Sequence, residues 1–400
     1  MGWPAGWAAE VREGLVAAAA ALLKPGGLFY CSYNTHPGWL ARSTLQMLSV
    51  EEGLRAGGQT SLAGILKAAA TLERLTGEEA DPWPLGAALP GLRAEMKGLD
   101  SVPKDYLRCE YHSAHQPLYV GPMHRMCAAH GLSHIGSASL PEMFPQWLDP
   151  DRRCLVMEAA DAPMREVLLD LAINQSFRRD LFARGVRTPS PAWRREALAE
   201  LGVVSCVGPG DDRHVFENSL GRLGIDPLFI AGLKDSLAAG RRTLGELLEL
   251  FALELEDLVQ RLVILDHAGV IAFALPAGAA DEAPLGACAA FQRRWLERTT
   301  TGDPIPFCLS PVLRQPVALP LLEGFFLQAA GAELSADDAV QLVWMGLTMA
   351  GGVVNDADGQ TIDDPQQALA ALREFHDTFV EERLPVLQRL GIAPAAPAGP

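Results

Sequence analysis

A surplus of positive charge, paired cysteines and a long apolar run are all missing from this sequence of 400 residues. Lysine and arginine number 33 against 49 aspartates and glutamates, a formal net charge of −16. Phosphate backbones are held by clustered cations that release counterions, so this balance argues against a nucleic-acid partner. The seven cysteines, at 31, 109, 127, 154, 206, 288 and 308, are odd in number and form no C-x-x-C pair. Such usage fits reduced thiols in a cytoplasm rather than a disulfide framework. The longest apolar run, Gly14 to Leu23, falls well short of the roughly 20 residues that a membrane span needs. Glu10 and Glu13 stand where a signal peptide would carry positive charge.

Several catalytic and binding loops are missing too. There is no G-x-S-x-G elbow and no H-E-x-x-H. The glycine-rich pieces at 53–58 and 208–210 neither follow a strand nor open a helix, as a phosphate-binding loop must. Asn355-Asp356-Ala357-Asp358-Gly359 has the look of a calcium loop, but its spacing fails. With Gly359 as the turn glycine, the first ligand would be Val354 and the twelfth Pro365.

What is present suits two or three globular domains. Val11, Leu15, Ala18, Ala19 and Leu22 recur at helical spacing and predict a helix over 8–23. Lys24-Pro25-Gly26-Gly27 ends it, and Leu28 to Ser32 follows as a buried strand. Helix, tight turn and strand make half of a βαβ unit and imply a parallel sheet. Helices fill 40–99, interrupted by Pro82-Trp83-Pro84. A second such unit runs from a helix over 120–130, through a cap at Gly131, to a strand over 132–136. Helix then dominates 163–183, and 193–206 and 211–217 read as strand and loop.

Three short helices (228–238, 243–250 and 257–267) followed by a strand over 270–275 form a winged-helix pattern. Its would-be recognition helix sets Arg261 against Glu256, Asp257 and Asp266, so it reads as a packing module rather than a DNA reader. Residues 285–332 are loop-rich and 335–390 helical, with Asp364-Pro365 as N-cap and first residue of the last helix. The tail 393–400 is Ala, Pro and Gly, a composition of disorder.

Two constellations carry candidate chemistry. Cys109, His112, His115, His124, Cys127, His130 and His134 gather five of the nine histidines into 26 residues. The donors suit zinc. However, His124-x-x-Cys127-x-x-His130 spreads around a helix and has no obvious carboxylate partner, so no metal is expected. The second constellation is Ser32, Tyr33 and Asn34, at the carboxyl end of the first strand, where α/β sheets place their ligands. Pro37-Gly38 fixes the loop that follows. The same residues also suit an ordinary strand-to-helix turn with Asn34 or Thr35 as N-cap.

Leu23-Lys24-Pro25-Gly26-Gly27 before a strand resembles a late motif of class I S-adenosylmethionine-dependent methyltransferases, and Ser32-Tyr33-Asn34-Thr35-x-Pro37-Gly38-Trp39 narrows the resemblance. It is similar to bacterial methyltransferases that carry a methyltransferase regulatory domain, among them the rickettsial protein-lysine methyltransferases. Glu110-Tyr111 with Gln116-Pro117-Leu118-Tyr119, Gly131-Leu132 with Gly136-Ser137-Ala138, and Asp170, Asn174, Phe177 and Arg178 follow in the family's order, although Cys109 replaces its usual histidine. The winged-helix pattern and Ser310-Pro311-Val312-Leu313 resemble its C-terminal region.

The resemblance implies an α/β plus α fold: the later part of a Rossmann-like sheet, then a mostly helical region with a winged-helix-like domain. The implied segments are a residual Rossmann-like core over 1–50, a helical insertion and last α/β unit over 51–150, and a linking region over 151–225. A winged-helix-like domain over 226–285, a C-terminal helical region over 286–392 and the tail 393–400 complete them. S-adenosyl-L-methionine is the implied cofactor and a protein side-chain amine the implied acceptor. Tyr33 and Asn34 would line the acceptor side, with Ser32, Thr35, Pro37, Gly38 and Trp39 as the substrate loop and Glu110 and Tyr111 as weaker, structural candidates. In the family the glycine-rich turn and acidic residue that hold the cofactor come earlier, so they are expected before residue 1. Met1 falls near the end of the family's fourth strand, and Met1 to Trp7 echoes the tryptophan-containing stretch expected there. The resemblance implies a cytoplasmic bacterial enzyme, incomplete at its N-terminus, with a protein substrate; a homodimer is one candidate state, which the sequence does not decide. Two alternatives remain open: a non-catalytic regulatory or interaction protein, and one half of a split methyltransferase.

Overall fold

The structure, a computed structural model, describes residues 9–276, 291, 294 and 307–393, apart from 59, 79–80, 113–114, 350 and 357–359. The stretch Met1–Trp7, the wing residues 277–285, part of the calcium-like loop and the tail from 394 lie outside the described residues. Two compact units divide the chain: residues up to 188 with 217–223, and 189–216 with 224 onward. The division falls inside the segment read as a linking region.

In the first unit, helix α1 (Ala9–Leu22) leads into strand β1 (Leu28–Asn34). Helices α2 (Leu40–Arg55), α3 (Leu62–Leu75), α4 (Pro84–Ala88), α5 (Leu92–Gly98) and α6 (Lys104–Glu110) follow. Ser61 opens α3 by accepting from the Gly64 amide. Trp39, Leu45, Ile65, Leu72, Leu92 and Leu107 form the core between these helices. Burying each large apolar side chain contributes about 1.5–3 kcal/mol. Helix α7 (Val120–Ala129) then runs through Gly131, whose φ of +74° suits only glycine comfortably, into strand β2 (Leu132–Ser137).

Helices α8 (Pro150–Met157) and α9 (Ala162–Ile173) precede strand β3 (Phe177–Arg184). The helix expected across 163–183 therefore ends ten residues early. Asn174 stops it in a left-handed conformation (φ 51°), which asparagine tolerates. Beyond it, Arg178, Asp180 and Phe182 are buried on one face of a strand. Two of these three are charged, so the alternation did not show as an apolar one.

The sheet order is β1-β3-β2, with β3 antiparallel to both neighbours. The expected parallel sheet is thus not found: among the described residues both ladders are antiparallel, and β1 and β2 run the same way without touching as a ladder. Tyr33 pairs with Arg178, Cys31 with Asp180 and His134 with Phe182. That register sets Tyr33, Arg178, Asp180, Phe182 and His134 on one face. Val16 and Ala20 of α1 and Met123 and Cys127 of α7 cover it.

The second unit begins with helix α10 (Pro191–Ala199) and strand β4 (Gly202–Ser205). Helices α11 (Pro227–Leu237), α12 (Leu244–Phe251) and α13 (Leu255–His267) occupy the positions expected of the winged-helix pattern, with strand β5 (Arg242–Thr243) before α12 and strand β6 (Ile271–Ala274) after α13. Thr243 and Glu246 close a reciprocal capping box on α12. The sheet's central strand is β4, paired antiparallel with β5 and β6. Arg261 does not reach outward as a free cation; its guanidinium lies 5.0 Å from the Phe229 ring. Strands β7 (Phe307–Ser310) and β8 (Gln315–Ala318) form a hairpin, followed by α14 (Leu321–Gly331), α15 (Ala336–Met349), α16 (Pro365–Thr378) and α17 (Leu384–Arg389). Asp364 caps α16 from the side chain with Pro365 behind it, as expected. Ser310 donates to the Leu390 carbonyl and accepts from the Leu313 amide, which ties the hairpin turn to the last helix. None of the described helices is long and apolar enough to cross a membrane.

Candidate functional site

Strand β1 continues two residues past its expected end, so Tyr33 and Asn34 lie on the strand itself. Successive strand residues point to opposite faces, and the structure does not bring these two together. Tyr33 is buried on the face beneath α1 and α7, and its hydroxyl donates to Asp180 Oδ2 at 2.6 Å. Burial first, then the negative charge of Asp180, pushes the phenol well above its ordinary pKa. Arg178 joins this network with bonds to Asp180 at 2.9 and 3.1 Å, to Glu166 at 2.7 Å and to Asp170. One guanidinium thus serves three carboxylates. Burial would raise Asp180, but the adjoining histidines, Arg178 and the Tyr33 hydroxyl outweigh it and hold its carboxyl well below the usual range. Asp170, with the smaller share of Arg178, is pushed up to about 7 by burial.

Asn34 leaves on the other face and meets Glu110 and His115. Its amide Nδ2 donates to Glu110 Oε2 and lies 3.5 Å from His115 Nε2. His115 Nε2 in turn is 3.6 Å from Glu110 Oε2. The Trp39 ring packs on His115 (4.6 Å between centroids) and on Tyr111 (5.9 Å). Gln46 holds the segment in place, donating to the carbonyls of His112 (2.9 Å) and His115 (2.6 Å). Glu110, the weaker sequence candidate, is therefore the direct partner of Asn34, while Tyr111 is a buried packing residue whose phenol burial pushes up to about 12. His115 was visible only as one member of the histidine-rich segment. A further signal was available: all five tyrosines fall between residues 30 and 119.

The loop residues have defined places. Ser32 is buried on the Asn34 face. Thr35 Oγ1 donates to the Leu118 carbonyl at 2.6 Å, and its backbone bridges Leu118 beside the end of β1. Neither Asn34 nor Thr35 caps α2, which starts at Leu40 without a side-chain cap. The His36–Pro37 peptide bond is cis. A Cβ on Gly38 would lie 2.6–2.7 Å from the backbone of Asn174, Gln175 and Ser176, so the loop sits directly on that chain. The space at Gly38 is filled by protein.

Burial raises the Glu110 carboxyl, opposed by the bond from Asn34 and by Arg42, and it lowers the His115 imidazole to about 4, helped by His112. At neutral pH the site pairs a neutral imidazole with a carboxylate of raised proton affinity. His115 Nδ1 and Trp39 Nε1 are buried and have no hydrogen-bond partner among the described residues. Such a set can accept hydrogen bonds from a nitrogen donor, orient it and take a proton from it.

Residues 103–184 match the family model described as "predicted methyltransferase regulatory domain". That span supplies β2, β3, Glu110 and His115, whereas Asn34 and Trp39 come from outside it. Over 387 residues the chain is 26% identical to the uncharacterized protein sll1526 of Synechocystis sp., covering 96% of this chain and 75% of the relative. Its fold is similar to that of PKMT2 from Rickettsia typhi, with a TM-score of 0.64, 15% identity, and coverage of 96% of this chain and 78% of that one. The structure of the same protein in complex with AdoHcy gives a TM-score of 0.60 at 15% identity, with coverage of 98% and 79%. Residues 103–184 thus match a predicted methyltransferase regulatory domain, and the chain shares the fold of PKMT2, in agreement with the resemblance its motifs carry.

Proposed function

We propose that this chain serves S-adenosylmethionine-dependent methyl transfer to a side-chain amine of a protein, with the acceptor nitrogen held at Asn34, Glu110 and His115. The observation that carries the reading is the half-buried Glu110 carboxylate bonded to Asn34 beside a neutral imidazole, at the carboxyl end of β1. An ammonium cannot accept a methyl group, because its lone pair is already used. Glu110 attracts the amine, Asn34 fixes the carboxylate's position, and the raised proton affinity of Glu110 favours release of the amine's proton to it. Trp39 and Tyr111 wall the cluster with aromatic surface and exclude water. The likeness to PKMT2, solved in complex with AdoHcy, supports the cofactor class. Seven scattered cysteines without a C-x-x-C pair support a cytoplasmic setting.

A second reading is favoured by the match of residues 103–184 to a domain described as regulatory. On that reading the chain is a regulatory partner, or one part of a methyltransferase in which a second chain holds the cofactor. Titration calorimetry with AdoHcy, together with transfer of labelled methyl from S-adenosylmethionine to a lysine-containing polypeptide, separates the two. The first reading expects both binding and transfer, with transfer falling at least tenfold in Glu110→Gln and Asn34→Ala. Absence of binding, or full transfer by both variants, would sink it.

A further inference from the structure

On the face of β1 opposite Asn34 lies a cluster that the proposed reaction does not use. His124 projects from α7, His134 from β2 and Asp180 from β3. The register places His134 and Asp180 on the same face of the sheet, one pair apart. His124 Nε2 is 3.3 Å from Asp180 Oδ2, and His134 Nε2 is 3.7 Å from Oδ1. One donor atom from each of the three residues lies within 4.8 Å of the others. We propose that His124, His134 and Asp180 bind a divalent transition-metal ion of the zinc class, with a further coordination position open to solvent.

Four observations lead there. Zinc bound by imidazole and carboxylate at about 2.0–2.1 Å in a tetrahedron has donor atoms roughly 3.3–3.4 Å apart. The two histidine–carboxylate separations, 3.3 Å to Oδ2 and 3.7 Å to Oδ1, lie within a few tenths of an ångström of that span, and all three donor atoms fall within 4.8 Å of one another. Second, the two imidazoles stack, with centroids 4.2 Å apart, and the Phe182 ring meets both edgewise, so both rings are already oriented. Third, hydrogen bonding alone leaves the cluster unfinished. At 3.7 Å His134 Nε2 is too far from the carboxylate for a well-formed hydrogen bond, and this buried nitrogen has no other hydrogen-bond partner among the described residues. Fourth, Asp180, Asp170 and Glu166 share the single guanidinium of Arg178, so the cluster carries more negative than positive charge. A dication would offset it.

Access and support are both present. A cavity of about 460 Å³ opens beside His124 and His134, lined also by Arg125, Asp161 and Glu166. The two imidazoles are 10% and 18% exposed, so an ion can reach them while Asp180 stays fully buried. Tyr33 and Arg178 hydrogen-bond the Asp180 carboxylate, as outer partners orient a metal-binding carboxylate. The trio differs from His124-x-x-Cys127-x-x-His130. Cys127 is buried in the apolar core beneath the sheet, and His130 faces Glu13 at 3.9 Å.

The test is to strip the untagged chain with EDTA and titrate it with zinc by calorimetry and with cobalt by visible absorption. Expected are one high-affinity ion per chain, the ligand-field band of a four-coordinate cobalt site, and a zinc-dependent rise in melting temperature. His134→Gln and His124→Gln should each weaken binding by at least tenfold and abolish the band and the rise. Folding is checked by circular dichroism of the metal-free variants. If one variant fails to fold, the other and the melting shift of the native chain still decide the matter. Absence of stoichiometric binding, or titrations of a folded variant that match the native chain, would overturn the site.

Discussion

Burial sets the proton chemistry of both clusters, and His115 shows the sign most clearly. Its imidazole titrates near 4 when folded and at its ordinary 6.5 when unfolded. As pH falls, the unfolded chain takes up the proton first. The stability tied to a neutral His115 is therefore intact above 6.5, is lost progressively between 6.5 and 4, and stays lost below that. The full effect is about 3 kcal/mol. Asp170 runs the other way, because its folded carboxyl titrates near 7 against an ordinary 3.8. The folded chain keeps that proton longer, so Asp170 lowers stability as pH rises through the same range. The two opposing slopes make a comparison with the native chain necessary. Urea midpoints of His115→Gln should fall less than native ones between pH 6.5 and 4. Parallel declines would show that His115 is not held neutral by burial.

Elements with one apolar stripe or one turn signal were legible in the sequence. Helix α1 with its Pro-Gly-Gly stop, α7 with Gly131 and β2, and α11 to α13 before β6 all lie within a few residues of their expected places. Strand β3 was not legible, because its inward positions include Arg178 and Asp180, whose burial depends on partners distant in sequence. The pairing of Tyr33 with Asn34 failed for a simpler reason: residue proximity was read as shared direction, which a strand's period of two forbids. Glu110 lies 76 residues from Asn34, and nothing local in the sequence announces that contact. The loop between β1 and α2 carries its own prediction. Gly38→Ala would drive a methyl group into the 174–176 backbone. It should lower stability by about 1–3 kcal/mol, since backbone on both sides must move. A melting temperature unchanged from native would mean the loop does not rest on that segment.

At the scale of the whole molecule, each unit has its own apolar core, and the span that matches the methyltransferase regulatory domain lies in the first. There the three strands are not laid down in the order in which they pair. The central strand, β3, is the last of the three to be translated, and β1 and β2 meet only through it. A nascent chain therefore emerges with β1 waiting almost 150 residues for its ladder, since Cys31 pairs with Asp180. Pairings of such sequence separation form late, because loop closure must be met before contacts reward it. A chain ended at Asn174 should keep its helical circular dichroism yet show fast amide exchange over 28–34, whereas one ended at Thr188 should protect those amides. Slow exchange in the shorter chain would show that β1 has another partner. The Asp180 cluster cannot assemble until β3 leaves the ribosome, whereas Asn34, Trp39, Glu110 and His115 are all translated before it. Early termination or proteolysis before residue 177 thus removes the first cluster and leaves every residue of the second in the chain. The two sites, on opposite faces of the sheet, are therefore completed at different points in synthesis, the Asp180 cluster last.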